Sequence, residues 1–205
     1  MAGVYGGGWM MPSFRWDEPI PDEIACVYFI DTTYDGGDPS NEKALLYDRI
    51  LSEIGLPLEE DTIAPDADLP TWLAEINLAT VGIPAALVSL FFLGERIEKN
   101  LDAWIRLGRR LKGLMKWNLF LSRSAGLAVA IDSIATEYFD GEIDDVLLVS
   151  YKRADRRFEN FRDAREEGPL PREYLGISIH VYELRCGGRN FRVTIDANNV
   201  LVDEY

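Results

Sequence analysis

The sequence predicts an α+β fold: a mixed sheet that ends in a three-stranded antiparallel meander, packed with a central apolar and basic helical segment. Three observations point there. Strand-like and helix-like runs interleave before the C-terminal part of the chain. The C-terminal segments "GISIHVYELRC", "RNFRVTI" and "VLVDE" alternate apolar and polar side chains, and Gly187-Gly188 and "DANN" separate them with hairpin-turn chemistry. Between these regions lies Val81 to Gly94, "VGIPAALVSLFFLG", a charge-free stretch in a chain whose charged residues make up 27%.

Residues 1–20 combine glycine, proline and aromatics without periodicity, so they read as a disordered tail or a flexible arm. Its Trp9, Met10, Met11, Phe14 and Trp16 suit docking, on another chain or on the protein's own body. Residues 21–205 then form a single α+β domain with a helical insertion at about 71–117. "IACVYFID", Ile24 to Asp31, is an apolar run of strand formers and reads as a buried strand. Asp38 and Pro39 make a helix start, an acidic N-cap followed by proline at the first helical position. That helix extends to about Ile54, with Leu46, Ile50 and Ile54 on one face and Gly55 ending it. "LPLEEDTIAPDADLP" is an acidic linker or loop.

The charge-free stretch raises the question of a membrane. From Ile76 to Gly94 there are 19 uncharged residues, and a spanning helix needs about 20. Acids precede it and bases follow, as the orientation rule requires. Pro84 argues the other way, because proline is tolerated at the first helical turn and costly inside. A helix from Pro84 to Gly94 is roughly 16 Å long, against a hydrocarbon core of about 30 Å. The favoured expectation is a short helix buried on all sides or sealed by a second subunit, which makes Pro84–Leu93 the candidate surface for a homo-oligomer. Gly94 allows a bend into the next segment, where Ile97, Leu101, Trp104, Ile105, Leu111, Leu114 and Met115 recur at helical spacing. That segment carries Arg106, Arg109, Arg110, Lys112 and Lys116, candidate contacts for lipid or for a partner.

"NLFLS" reads as a strand, and Ser122 or Ser124 caps a helix over Ala125 to Phe139 with Leu127, Ile131, Ile134 and Tyr138 as its stripe. "DVLLVSY" is a further strand, "ADRRFENFRDAREE" an exposed charged helix, and the meander closes the chain.

The net charge is −14, with 16 acids and 3 bases in residues 1–75 but 7 bases and 3 acids in residues 76–117. An acidic body repels nucleic acid, whose binding depends on neutralised phosphates, and favours a basic protein partner. Two cysteines far apart, Cys26 and Cys186, give no disulfide framework and no zinc spacing. Nothing at the N-terminus resembles a signal peptide, and a cytoplasmic location is the expectation.

Candidate chemistry is sparse. His180, the single histidine, shares a strand face with Ser178, Tyr182 and Leu184 and reads as structural, since "SRSAG" lacks the strained G-x-S-x-G elbow. Pairing of His180 with Cys26 or Cys186 would require proximity that the sequence does not show. Asp31, Asp35 and Asp38 in "FIDTTYDGGD" follow a strand and could hold Mg²⁺ for a hydrolase, although turn and cap chemistry explains them more simply. "DGEIDD", Asp140 to Asp145, lacks the calcium-loop pattern and reads as a helix-to-strand turn. No cofactor motif is present.

The leading expectation is a non-catalytic protein-binding module, like an acidic immunity, inhibitor or adaptor subunit of a bacterial system. Its expected contacts are Trp9, Phe14, Trp16 and the acids Glu59, Glu60, Asp61, Asp66 and Asp68. The alternatives are membrane docking through residues 81–94 and 95–117, and the Mg²⁺-dependent hydrolase.

Overall fold

The computed structural model describes residues 20–30, 47–48, 51–52, 58–61, 71–117, 119–155, 178–196 and 199–205. Trp9, Phe14, Trp16, Asp31, Asp35, Asp38, Asp66 and Asp68 lie outside these residues, as does most of the charged segment after Asp155.

The α+β class and the C-terminal meander are both present. The elements are β1 (Ile24–Ile30), β2 (Glu59–Asp61), β3 (Thr71–Asn77), α1 (Ala85–Phe92), β4 (Arg96–Ile97), α2 (Leu101–Leu114), β5 (Leu119–Leu121), α3 (Arg123–Tyr138), β6 (Val146–Asp155), β7 (Ser178–Cys186), β8 (Arg189–Asp196) and β9 (Asn199–Glu204). The strands divide between two sheets, ordered β2-β3-β1-β5 and β4-β6-β7-β8-β9, and every described pairing is antiparallel.

β1 is buried on both faces, as its apolar run predicts. Ala25, Val27 and Phe29 join the main core, while Cys26 and Tyr28 join a smaller cluster with Ile20 and Leu73 on the outer face of the first sheet. Its neighbour β3 corrects the helical insertion drawn at 71–117. Trp72, Ala74 and Ile76 enter the main core and Leu73 the outer cluster, so residues 71–77 follow the strand period of two. The described residues of the expected 38–54 helix, 47–48 and 51–52, are helical, and Tyr47 packs on Trp72 with ring centroids 5.0 Å apart.

The charge-free stretch is divided among three elements. β3 ends at Asn77, whose Oδ1 accepts from Ala79 N at 3.0 Å and caps a 3₁₀ turn over Leu78–Val81. Gly82, at φ 90°, closes that turn. Pro84 caps α1, one residue ahead of its first helical position. α1 has eight residues, about 12 Å of helix, and no helix among the described residues is long and apolar enough to cross a membrane. It ends in a Schellman arrangement: Gly94 N donates to Phe91 O and Glu95 N to Leu90 O, both at 3.0 Å, with Gly94 at φ 81°. The expectation of a helix buried on all sides fails. Val88 and Phe91 point inward, while Leu90 is 43% and Leu93 78% exposed. Ile97, expected on the basic helix, lies on β4, and Asn100 at φ 62° separates the two elements.

α3 is the centre of the molecule. It packs on α2, on β1 and β5 of the first sheet, and on β7, β8 and β9 of the second. Every residue from Ser124 to Ala135 is buried, so the expected stripe is in fact a helix enclosed on all sides. Ser122 is the cap: its Oγ accepts from Cys26 N at 2.9 Å and from Ala125 N at 3.4 Å. Close approach depends on small residues. A Cβ at Gly108 of α2 would lie 2.0 Å from the Ala128 carbonyl oxygen, and one at Gly126 would lie 2.5 Å from the Tyr182 hydroxyl.

In the second sheet, Gly187 and Gly188 at φ 54° and 78° turn β7 into β8, as a two-residue hairpin requires. The "DGEIDD" segment links α3 to β6, and Asp145 Oδ1 accepts from Gly187 N at 3.0 Å. The β6–β7 register shifts between Leu148 and Ser150, which leaves Val149 as the extra residue of a bulge.

Two glycines of α2 test the packing. Gly108→Ala should destabilise the protein by about 1–3 kcal/mol, because the added methyl meets backbone that cannot give way. Gly113→Ala, with nothing within 4 Å of the new methyl, should stabilise by about 1 kcal/mol through helix propensity. Denaturant midpoints of the two variants measure both signs.

Candidate functional site

The bulge at Val149, the C-terminal end of α1 and the first residue of α3 meet around an open groove of about 390 Å³. Phe92, Leu93, Gly94, Arg123, Leu148, Val149, Ser150 and Tyr151 line it. Each arrives for a local reason. Gly94 turns the chain at the end of α1 and leaves Leu93 at the lip. The Ser122 cap starts α3 and places Arg123 at the wall. The bulge breaks strand alternation and leaves Val149 49% exposed.

Arg123 is the polar anchor. Its side chain is 13% exposed. The Nε donates to Asp22 Oδ1 at 3.0 Å, a second guanidinium nitrogen reaches Asp22 Oδ2, and the carbon lies 3.7 Å above the Phe92 ring. Such a pair holds two planes in register as well as two charges. Ser124 Oγ donates to the Asp22 carbonyl at 2.5 Å, which fixes the same stretch of chain a second time.

Beneath the groove, Tyr151 meets His180 across the β6–β7 ladder, with 2.9 Å between the hydroxyl and Nδ1. Burial pushes the His180 pKa down to about 4, against a weaker opposing pull from the Leu121 backbone. Burial also raises Tyr151 above its ordinary value. The imidazole is therefore neutral near pH 7, and its Nδ1 shares a hydrogen bond with the Tyr151 hydroxyl. Tyr182 is fully buried alongside and donates to the Arg123 carbonyl at 2.7 Å. A buried imidazole behind a half-buried tyrosine stiffens the wall. His180 lies within β7 with its side chain buried.

The other expected site residues are dispersed. Cys186 is buried six positions along β7 from His180, which sets the two about 20 Å apart. Burial pushes the Cys186 thiol up to about 12, so it stays protonated. Cys26 packs on the outer face of the first sheet. Arg106, Arg110 and Lys116 are exposed. Arg109 pairs with the buried Asp132 at 3.4 Å, and Lys112 donates to Ser133 at 3.1 Å, so these two bases bind the body of the protein. Glu59 is exposed on β2, with Glu60 and Asp61 beside it in the strand. Among the described residues, no three His, Cys, Asp or Glu side chains gather as a metal site.

Sequence reasoning missed the groove because its walls come from residues 92–94, 123 and 148–151. The available signal was Leu90 and Leu93, three positions apart and opposite the Val88 and Phe91 face. No protein-family model, curated protein or solved structure matches the chain.

The buried histidine makes stability depend on pH. The unfolded chain protonates His180 near 6.5 and the folded protein only near 4. Between these values the unfolded state binds more protons, so stability falls as pH drops through that window and is unaffected above it. The loss is on the order of 3 kcal/mol. In denaturant titrations from pH 7 to 4, His180→Asn should lose this part of the slope; equal slopes in both proteins would contradict a neutral His180.

Proposed function

We propose that the protein binds another protein and performs no catalysis itself, with the groove beside α1 as its contact. One observation carries this reading. Leu93 and Val149, two of the five large apolar side chains exposed among the described residues, both line the groove, and exposed Leu90 lies on the helix that ends beside it. Isolated exposed hydrophobics need no explanation, but a cluster around a concave surface suits a partner's side chains. The net charge of −14 supports a partner with basic residues around its apolar anchors, because long-range attraction speeds encounter. Exposed Glu59 and its acidic neighbours contribute to that field. An immunity-, inhibitor- or adaptor-like role in the cytoplasm accords with this chemistry and with two cysteines buried as thiols.

Selecting a random peptide library against the full chain tests the proposal. The expected peptides combine aromatic or aliphatic anchors with Lys or Arg. Their affinity should fall at least tenfold in Leu93→Asp and weaken with added salt. Leu93 is exposed enough for the substitution to leave folding within about 0.5 kcal/mol. Selected peptides that bind Leu93→Asp equally well would remove the groove as the contact. Flotation of the full chain with phosphatidylserine vesicles, abolished by Arg106→Glu and Arg110→Glu, would favour the membrane alternative instead.

A further inference from the structure

We propose that β9 is a second docking surface, an open sheet edge that takes an extended basic segment of a partner protein as a further antiparallel strand. β9 lies at the far edge of the second sheet from the groove, so this surface stands or fails without it.

The first support is the free edge itself. β9 ends the order β4-β6-β7-β8-β9, and among the described residues no strand lies beyond it. Its six residues make about 20 Å of edge. The register with β8 is continuous from Asp196 opposite Asn199 to Phe191 opposite Glu204. Tyr205 N donates to Asn190 O at 3.0 Å, and in an antiparallel ladder the residues bonded to a given neighbour alternate. Asp203, Leu201 and Asn199 therefore bond β8, while Val200, Val202 and Glu204 turn their N–H and C=O groups outward. No residue of β9 is buried. Outward groups in regular spacing are what an added strand bonds, with its alternate side chains setting specificity.

The second support is charge. Leu201 and Tyr205, 59% and 61% exposed, share with Asp203 the face of β9 turned from the core. Val200 and Val202 point the other way and pack half-buried against the core. Glu204 is engaged by Arg189, and Arg192, which lies across the ladder from Asp203, is engaged by Glu183 at 2.9 Å. Asp203 is exposed and enters no ion pair among the described residues. Charge on an edge strand discourages pairing with a second copy, and two bodies of net charge −14 repel as they approach. The same charge draws a strand that sets Lys or Arg opposite Asp203. The fitting sequence alternates apolar residues, which extend the Val200 and Val202 face, with basic ones.

Amide hydrogen exchange in the full chain tests the proposal. The probe is an end-blocked peptide of alternating valine and lysine, about seven residues long to match the edge. In the free protein, the amides of Val200, Val202 and Glu204 should exchange at least tenfold faster than those of Leu201 and Asp203. Peptide at a concentration on the order of millimolar should slow these three at least tenfold. Methylating the valine nitrogens of the peptide, which face β9, should abolish the protection; methylating the lysine nitrogens, which face away, should preserve it. Asp203→Lys, at an exposed position, should weaken peptide binding about tenfold, and Leu93→Asp should leave it unchanged. Equal protection by the two methylated peptides, or none from the unmodified one, would overturn the proposal. So would slow exchange of the three amides in dilute free protein, which would mean that the edge is already covered by the chain itself. Protection that grows with protein concentration without peptide would assign the edge to a second copy and overturn it as well.

Discussion

Enclosure of α3 is the constraint on which the rest of the molecule depends. A helix buried along twelve consecutive residues, Ser124 to Ala135, meets other protein on every side, so its contacts are limited by backbone and not by adaptable side-chain ends. That is why Gly108 stands against the Ala128 carbonyl and Gly126 beneath the Tyr182 hydroxyl. It is also why polar groups on this helix have assigned partners: Asp132 with Arg109 and Thr136, Ser133 with Lys112. A buried polar group left without a partner costs about 1–3 kcal/mol. The helix can be central only because α2 brings Arg109 and Lys112 to it.

The same enclosure builds the groove. Ser122 must cap α3 while also accepting from Cys26, which ties the helix start to the middle of β1. Arg123 follows immediately and is left partly exposed at the boundary between the two sheets, where Asp22 and Phe92 receive it. Tyr182 binds the Arg123 carbonyl from below, and Tyr151 and His180 complete the wall. The exposed lip, Leu93 and Val149, is thus set on a rigid base. Preorganised walls of this kind reduce the ordering cost of binding.

Much of the fold was legible. β1 announced itself by seven apolar positions, the C-terminal hairpin by Gly187-Gly188, and the α3 cap by the pair Ser122 and Ser124, of which Ser122 is the cap. Pro84 correctly limited α1 to a length that cannot span a bilayer. Strand β3 was not legible, because Trp72, Leu73, Ala74 and Ile76 are apolar on both faces and merge with the uncharged run that follows. For α1, apolar composition implied burial all round, but a short helix beside an open groove has only one buried face. For α3 the error was opposite: alanines read as spacing between stripe residues are themselves packed. The site was hidden for a further reason. Phe92, Arg123 and Tyr151 lie about thirty residues apart in sequence, and only packing around α3 brings them together.

Native-state hydrogen exchange tests the central role of α3 most directly. If α3 is the core shared by both sheets, the amides from Ser124 to Ala135 exchange only through global unfolding, with a free energy and a denaturant dependence equal to those of the whole protein. Exchange of these amides through a smaller opening, in which the second sheet separates from α3 while β1 and β3 stay protected, would contradict the account. It would show two units that merely touch along this helix.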